Sequence, residues 1–198
     1  MYVRKKDASS ALQGREKKLR KRRKSETFME NLVRSAKKGD DQAFAHLIQD
    51  HTQCMYKVAW AYLKNDEDAA DAIQETILTC YEKLPSLRQE RYFKTWMIRI
   101  LINHCKDILS YKNKALASSD VLETSYEEAE YKNCEWKESL TWLDEKYQIV
   151  VILYYSKTLT VKEIAALLDI SPNTVLTRLD RARKQIKKMY ESGGVVHG

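Results

Sequence analysis

Glycine and proline are nearly missing from this chain of 198 residues: there are five glycines and two prolines, and Gly39 is the only glycine between Glu26 and Ser192. So few turn-formers exclude a β-sandwich or barrel, whose hairpins need tight turns at short intervals. Long apolar runs are also absent, so no transmembrane helix is expected. The basic N-terminus has no apolar stretch behind it that would make a signal peptide, and a cytoplasmic protein, not embedded in a membrane, is the expectation. Cys54, Cys80, Cys105 and Cys134 are widely spaced with no C-x-x-C pair, which suits neither a zinc framework nor a disulfide scaffold. His51 and Cys54 share a helical face but are too few to hold a metal, so the thiols read as small apolar groups. No nucleotide loop, catalytic dyad or metal cluster stands out. The chain is therefore expected to be no enzyme, with no catalytic or metal residues and no cofactor, and any catalysis belongs to a partner.

What the chain has in quantity is charge, unevenly placed. The formal net charge is +7. Residues 1–25 hold eleven Lys and Arg against Asp7 and Glu16, a local +9, which leaves −2 for the remainder. Residues 118–138 carry seven acids against Lys132 and Lys137, and residues 173–190 carry six basic residues against Asp180. A basic tail, an acidic linker and a basic C-terminal helix point to a polyanion contacted in more than one place. The tail (1–26) lacks an apolar face and is expected to be disordered, either an electrostatic arm or a dispensable extension, since patterned sequence begins near Met29.

From Phe28 onward the spacing is helical. A short helix over 27–37 ends near Gly39, and a second over 41–64 places Phe44, Leu47, Ile48, Met55, Val58, Ala59 and Tyr62 on one side. Asn65 is placed to cap a third, whose first turn is Asp66-Glu67-Asp68 and which stops at Pro85. A polar loop leads to a fourth helix over 92–112. Periodicity is lost over 115–135, the linker, and returns with helices near 135–143 and 144–156, the latter with Tyr147, Val150, Val151 and Tyr154 inward. The predicted class is all-α: a first helical domain over 27–114, an acidic flexible linker over 115–135, a second domain over 136–191, and a tail over 192–198.

The second domain ends in a recognisable pair. Thr160-Val161-Lys162-Glu163 is a capping box with Val161, Ile164, Ala165 and Leu168 on one face behind it, and Ser171-Pro172 starts another helix after a three-residue connection. Along that last helix Val175, Leu179, Ala182, Ile186 and Met189 fall together, with Thr174, Thr177, Arg181, Lys184 and Lys188 opposite and Arg178 on the flank. This is the shape of a helix-turn-helix. Its early residues, Asn173, Thr174, Thr177, Arg178 and Arg181, are placed to read base edges, and Lys184, Lys187 and Lys188 to meet phosphate.

In the first domain Asp68, Asp71, Glu75 and Glu82 form an acidic stripe that repels DNA and suits a basic protein surface. The helix over 92–112 buries Phe93, Met97, Ile100, Leu101 and Ile108 and turns Arg99, Asn103, Lys106 and Ser110 outward, with Trp96 at the edge. An aromatic-rich helix with such an outer face suits single-stranded or distorted nucleic acid.

Asp71-Ala72-Ile73-Gln74-Glu75 followed by Phe93-Lys94-Thr95-Trp96-Met97-Ile98-Arg99-Ile100, Asn103 and Asp107 resembles region 2 of the sigma-70 family. Leu159-Thr160, Glu163-Ile164-Ala165, Ile170-Ser171, Thr174-Val175 and Arg178 through Arg183 are similar to its region 4. Both blocks, in this order around a short acidic linker, resemble the extracytoplasmic-function (ECF) group, over about residues 27–190. The resemblance implies a sigma factor of a stress or envelope response, with core RNA polymerase (β′ and β subunits), promoter DNA and an anti-sigma factor as partners. Asp68, Asp71, Gln74 and Glu75 would meet the β′ clamp helices. Trp96, Arg99, Asn103 and Lys106 would recognise and open the −10 element. Asn173, Thr174, Thr177, Arg178, Arg181 and Lys184 would read the −35 element, and the linker would thread toward the RNA exit path. Ser110 and Leu176 depart from the family pattern, standing where a basic residue is frequent. The rival reading is a stand-alone helix-turn-helix regulator, which would bind DNA without polymerase.

Overall fold

The computed structural model describes residues 25–118, 135–156 and 159–191, and no β-strand occurs among them. Helix α1 covers 25–37. It is followed by α2 (Asp41–Leu63), α3 (Asp66–Lys83), α4 (Phe93–Ser118), α5 (Glu135–Thr141), α6 (Glu145–Tyr155), α7 (Val161–Leu168) and α8 (Pro172–Glu191). Two 3-10 turns, Leu84–Ser86 and Glu90–Tyr92, lie between α3 and α4. The all-α class read from the sequence is the class observed. The basic tail before residue 25, linker residues 119–134 with Cys134, and the tail after residue 191 lie outside the described residues.

Contacts divide the described chain into two units: residues up to Asp50 with Tyr81–Phe93, and His51–Cys80 with the residues from Lys94 onward. In the first, Val33, Phe44, Leu47, Leu84, Leu87 and Phe93 are buried. Helix α1 ends because Gly39 takes φ +92, with its N–H donating to the Ala36 carbonyl (3.0 Å) and the Asp40 N–H to that of Ser35 (3.2 Å). A Cβ at Gly39 would meet nothing within 4 Å, so glycine is needed there for its backbone and not for space. Helix α3 ends at Lys83, two residues before Pro85, which has no N–H to continue it. The Lys37 ammonium holds the turn before α4, donating to the Leu87 carbonyl (2.7 Å) and lying 3.3 Å from Glu90 Oε1.

In the second unit Met55, Val58, Ala59, Ala69, Ala72, Met97, Ile98, Leu101 and Cys105 are among the buried residues. Burial pushes the Cys80 and Cys105 thiols up to about 12. Helix α5 lies on α2 through Trp136, edge-on to Trp60 (5.4 Å between centroids) and Tyr56 (5.9 Å). Lys137 Nζ donates to both carboxylate oxygens of Asp66 at 2.8 Å. Helix α8 packs against both α6 and α7, with Val175, Leu179 and Ala182 buried on α8, Tyr147, Val150 and Leu153 on α6, and Ile164 and Ala165 on α7.

The caps form as the sequence indicates. The Asp68 N–H donates to Asn65 Oδ1 (2.9 Å), and both arms of the Thr160/Glu163 capping box are present. The Thr174 N–H donates to Ser171 Oγ (3.0 Å), and Asp169 closes α7 at φ 54, a left-handed conformation that a short polar side chain tolerates.

Three expectations need correction. Helix α4 continues past Lys112 to Ser118, so the linker's first four residues are helical. Ala115, Leu116 and Ala117 are strong helix formers, and no proline or glycine stops them. The loop before α4 contains a second 3-10 turn. In α6, Val151 and Tyr154 are half-buried while Gln148, Ile149, Ile152 and Leu153 are buried, because this helix is covered nearly all round and its periodicity is weak. Gln148 satisfies its amide by donating to the Leu143 carbonyl (2.8 Å).

Candidate nucleic-acid and protein interfaces

Helix α3 buries Ala69, Ala72, Thr76 and Cys80, and this sets its opposite side outward. Asp71, Gln74, Glu75 and Glu82 are exposed there, and Leu78, 58% exposed, lies in the same band. Asp68 differs from the rest of the stripe: it is only partly exposed and forms an ion pair with Lys112 of α4. Tyr81, also exposed, donates its hydroxyl to Asp41 Oδ1 (2.9 Å).

On α4 Phe93, Met97, Ile98, Leu101 and Cys105 are buried, whereas Ile100 and Ile108, expected inside, are half-buried; this places Asn103 and Lys106 in the open and leaves Trp96 half-buried. Arg99 is exposed but engaged: Nη2 donates to the carbonyl of Ala166 in α7 at 3.2 Å. One turn earlier, the Thr95 hydroxyl donates to Glu163 Oε1 at 3.4 Å. Sequence periodicity placed Arg99 on an outer face but gave no sign that α7 lies against it.

Helices α6 and α8 together form a cavity of about 420 Å³. Asn173, Thr174, Thr177, Arg178 and Arg181 line it, and Lys146 and Tyr147 of α6 complete it. Five residues singled out from the sequence are thus brought to one concave surface. The sixth, Lys184, instead pairs with Asp180 (2.8 Å), whose carboxyl is held below its ordinary value chiefly by that hydrogen bond. Lys146 was missed. It sits in the first turn of α6, pairs with Asp144 (3.2 Å), and brings a third cation to a wall already holding two arginines. No spacing signal marks it, because its neighbours come from another helix. Hydroxyl donors on this surface are partly committed: Thr177 Oγ1 donates to the Asn173 carbonyl (2.8 Å), and the Ser171 and Thr174 hydroxyls bond each other (2.8 Å). The concave surface offers a polyanion the Arg178, Arg181 and Lys146 cations and the Asn173 amide.

Two family profiles match separate stretches of the chain. A family profile described as "Sigma-70 region 2" matches residues 47–115, and one described as "Sigma-70, region 4" matches residues 138–186. The chain is similar to RNA polymerase sigma factor SigV of Bacillus subtilis (strain 168), at 33% identity over 71% of this chain and 86% of that one. It is also similar to the ECF RNA polymerase sigma-E factor of Escherichia coli (strain K12), at 30% identity over 78% and 90%. Among solved structures, CnrH in complex with the cytosolic domain of CnrY aligns with a TM-score of 0.60 at 22% identity, covering 83% of this chain and 97% of that one. The sigma factor RpoE in complex with the anti-sigma factor NepR from Bartonella quintana aligns with a TM-score of 0.57 at 19% identity, covering 72% and 95%. These two likenesses bear on the fold.

Proposed function

Because the chain belongs to the sigma-70 family, in its ECF group, and is an RNA polymerase sigma factor, we propose an assignment of its surfaces to the steps of initiation. Sigma factors bind core polymerase and promoter DNA and are transcription initiation factors. In our reading this chain contributes specificity and no catalysis, and it acts in the cytoplasm with polymerase. Residues 27–114 serve the polymerase and the −10 element, and residues 136–191 serve the −35 element.

On α3, exposed Asp71, Gln74 and Glu75 dock on the β′ clamp helices, with Asp68 at the rim of that contact. The charge supports this: an acidic face repels DNA and attracts a basic protein surface. On α4, Trp96, Arg99, Asn103 and Lys106 capture unstacked bases of the −10 element, each stacking contact contributing roughly 1–3 kcal/mol. On α8, Asn173, Thr174, Thr177, Arg178, Arg181 and Lys184 meet the −35 element, and Lys146 joins them at phosphate. The observation that carries this part is the basic cavity shared by α6 and α8. Each surface alone binds weakly; held on one polymerase, the two DNA contacts become intramolecular and reinforce each other through effective concentration. An anti-sigma factor, the partner named for the RpoE chain of similar fold, is proposed as the regulator, releasing this chain in a stress or envelope response.

The test is run-off transcription by bacterial core polymerase, with and without this protein, on fragmented DNA from its source. Discrete transcripts that need the protein support the assignment. DNA binding with no polymerase-dependent transcripts would defeat it and favour an autonomous helix-turn-helix regulator, a reading that the matches to both sigma regions do not favour.

A further inference from the structure

Helix α8 carries one feature that its charge and core do not account for. Leu176 is 52% exposed, the one large apolar side chain of that degree on the described part of α8. Its neighbour Val175 and the next-turn Leu179 are 0% and 1% exposed, so the core of this unit is complete without it. By helical geometry Leu176 lies about 60° round the axis from Asn173, on the side of Asp180 and away from Arg178. It therefore sits beside the surface assigned to DNA reading, in the first two turns of a helix that starts at Pro172.

A leucine offers a nucleic acid neither a donor nor an acceptor, so its contact with a base edge is apolar or nothing. In the major groove the base pairs present donors and acceptors throughout, and the apolar group among them is the C5-methyl of thymine. Thr177, about 100° round the helix from Leu176, has committed its hydroxyl proton to the Asn173 carbonyl (2.8 Å) and is not a free donor toward DNA. Asp180 beside it is engaged with Lys184 (2.8 Å), so its charge is partly compensated where the duplex would approach.

We infer that Leu176 is a specificity-determining residue that reads thymine in the −35 element through its C5-methyl group. The inference rests on the assignment of α8 to that element. The ligand is a thymine edge within duplex DNA.

The test uses holoenzyme formed with the full chain, on a promoter identified by run-off transcription. Each −35 thymidine on either strand is replaced in turn by deoxyuridine, which removes the methyl and leaves every hydrogen-bonding edge unchanged. At one or two positions the change should weaken promoter binding about fourfold, the factor equivalent to withdrawing one methyl from burial. With Leu176→Ala holoenzyme the same replacement should have no effect at those positions and an unaltered effect elsewhere. The inference is overturned if no deoxyuridine position matters, if wild type and variant lose equally, or if the −35 element contains no thymine. Failure of the proposed function shows beforehand, as the absence of any run-off promoter, whereas failure of this inference shows on a working promoter as indifference to the methyl. Leu176 is outside the core, so Leu176→Ala is expected to fold, and unchanged thermal unfolding confirms it.

Discussion

Arg99 and Ala166 are 67 residues apart, yet the guanidinium of one donates to the carbonyl of the other at 3.2 Å. The bond is exposed and lone, so its net contribution to stability is about 1 kcal/mol or less. The bond uses one of the five N–H donors of the guanidinium, and the others remain for the proposed −10 contact.

Arg99→Ala is therefore expected to move the unfolding midpoint by no more than about 2–4 °C while lowering promoter opening at least tenfold. Thermal unfolding and permanganate footprinting of the −10 region read the two effects. A variant that opens promoters normally would remove Arg99 from the −10 contact.

Reversing Asp71 and Glu75 together to lysine should abolish assembly with core polymerase and leave folding intact. Both side chains are exposed on α3, where surface changes usually stay within about 0.5 kcal/mol. Co-elution with core polymerase is the measurement; retained assembly would defeat the clamp assignment.

Asp66 and Lys137 give a pH-dependent contribution. Burial pushes the Asp66 carboxyl up, but the Lys137 and Tyr56 hydrogen bonds outweigh it, and the net value lies below the ordinary one. Burial lowers Lys137, the bonds to Asp66 and Tyr56 outweigh that, and its net value lies above 10.5. A depressed acid stabilises above its unfolded value, about 3.9, and loses this as pH falls through its folded value; a raised lysine stabilises below its unfolded value and loses this as pH rises through its folded one. Asp66→Asn should thus lower the unfolding midpoint by about 2–4 °C at pH 7, for a contribution near 1 kcal/mol. The difference should shrink as pH falls below the carboxyl's unfolded value, about 3.9, and through its lower folded one. Melts of both proteins across about pH 2–8 give the comparison; a constant difference at all pH values would show that the ion pair is not its source.

Cys80 and Cys105, with thiols pushed up to about 12 by burial, hold roughly one thiolate in 10⁴ at pH 8. Both should resist iodoacetamide in the native protein and react fully in denaturant. Peptide mapping of the labelled protein checks this, and rapid native labelling at either site would show that its helix opens readily.

Much of the fold could be read from the chain because its signals are local. Asn65, the Thr160/Glu163 box, Ser171-Pro172 and Gly39 each act within four residues of their own position, and all mark the helix ends they indicate. The five α8 residues placed at base edges also share the α6–α8 cavity. What escaped depends on distant neighbours. The Asp68–Lys112 pair, the engagement of Arg99 by α7 and the arrival of Lys146 beside Arg178 are set by packing between helices, which periodicity along one helix does not encode. The length of α4 escaped for a different reason: its apolar stripe fades before its backbone stops being helical.

Val175 and Leu176 are chain neighbours with opposite fates, one sealed in and the other facing solvent. Inserting a single residue between Ser171 and Val175 would turn everything after it by about 100°, trading buried methyls for charges. The connection before α8 therefore fixes the phase of the reader as a ratchet fixes a wheel. Divergence of DNA preference among descendants of such a protein is confined to exchanging side chains in place; lengthening the turn would cost the domain its fold before it offered a new sequence to read.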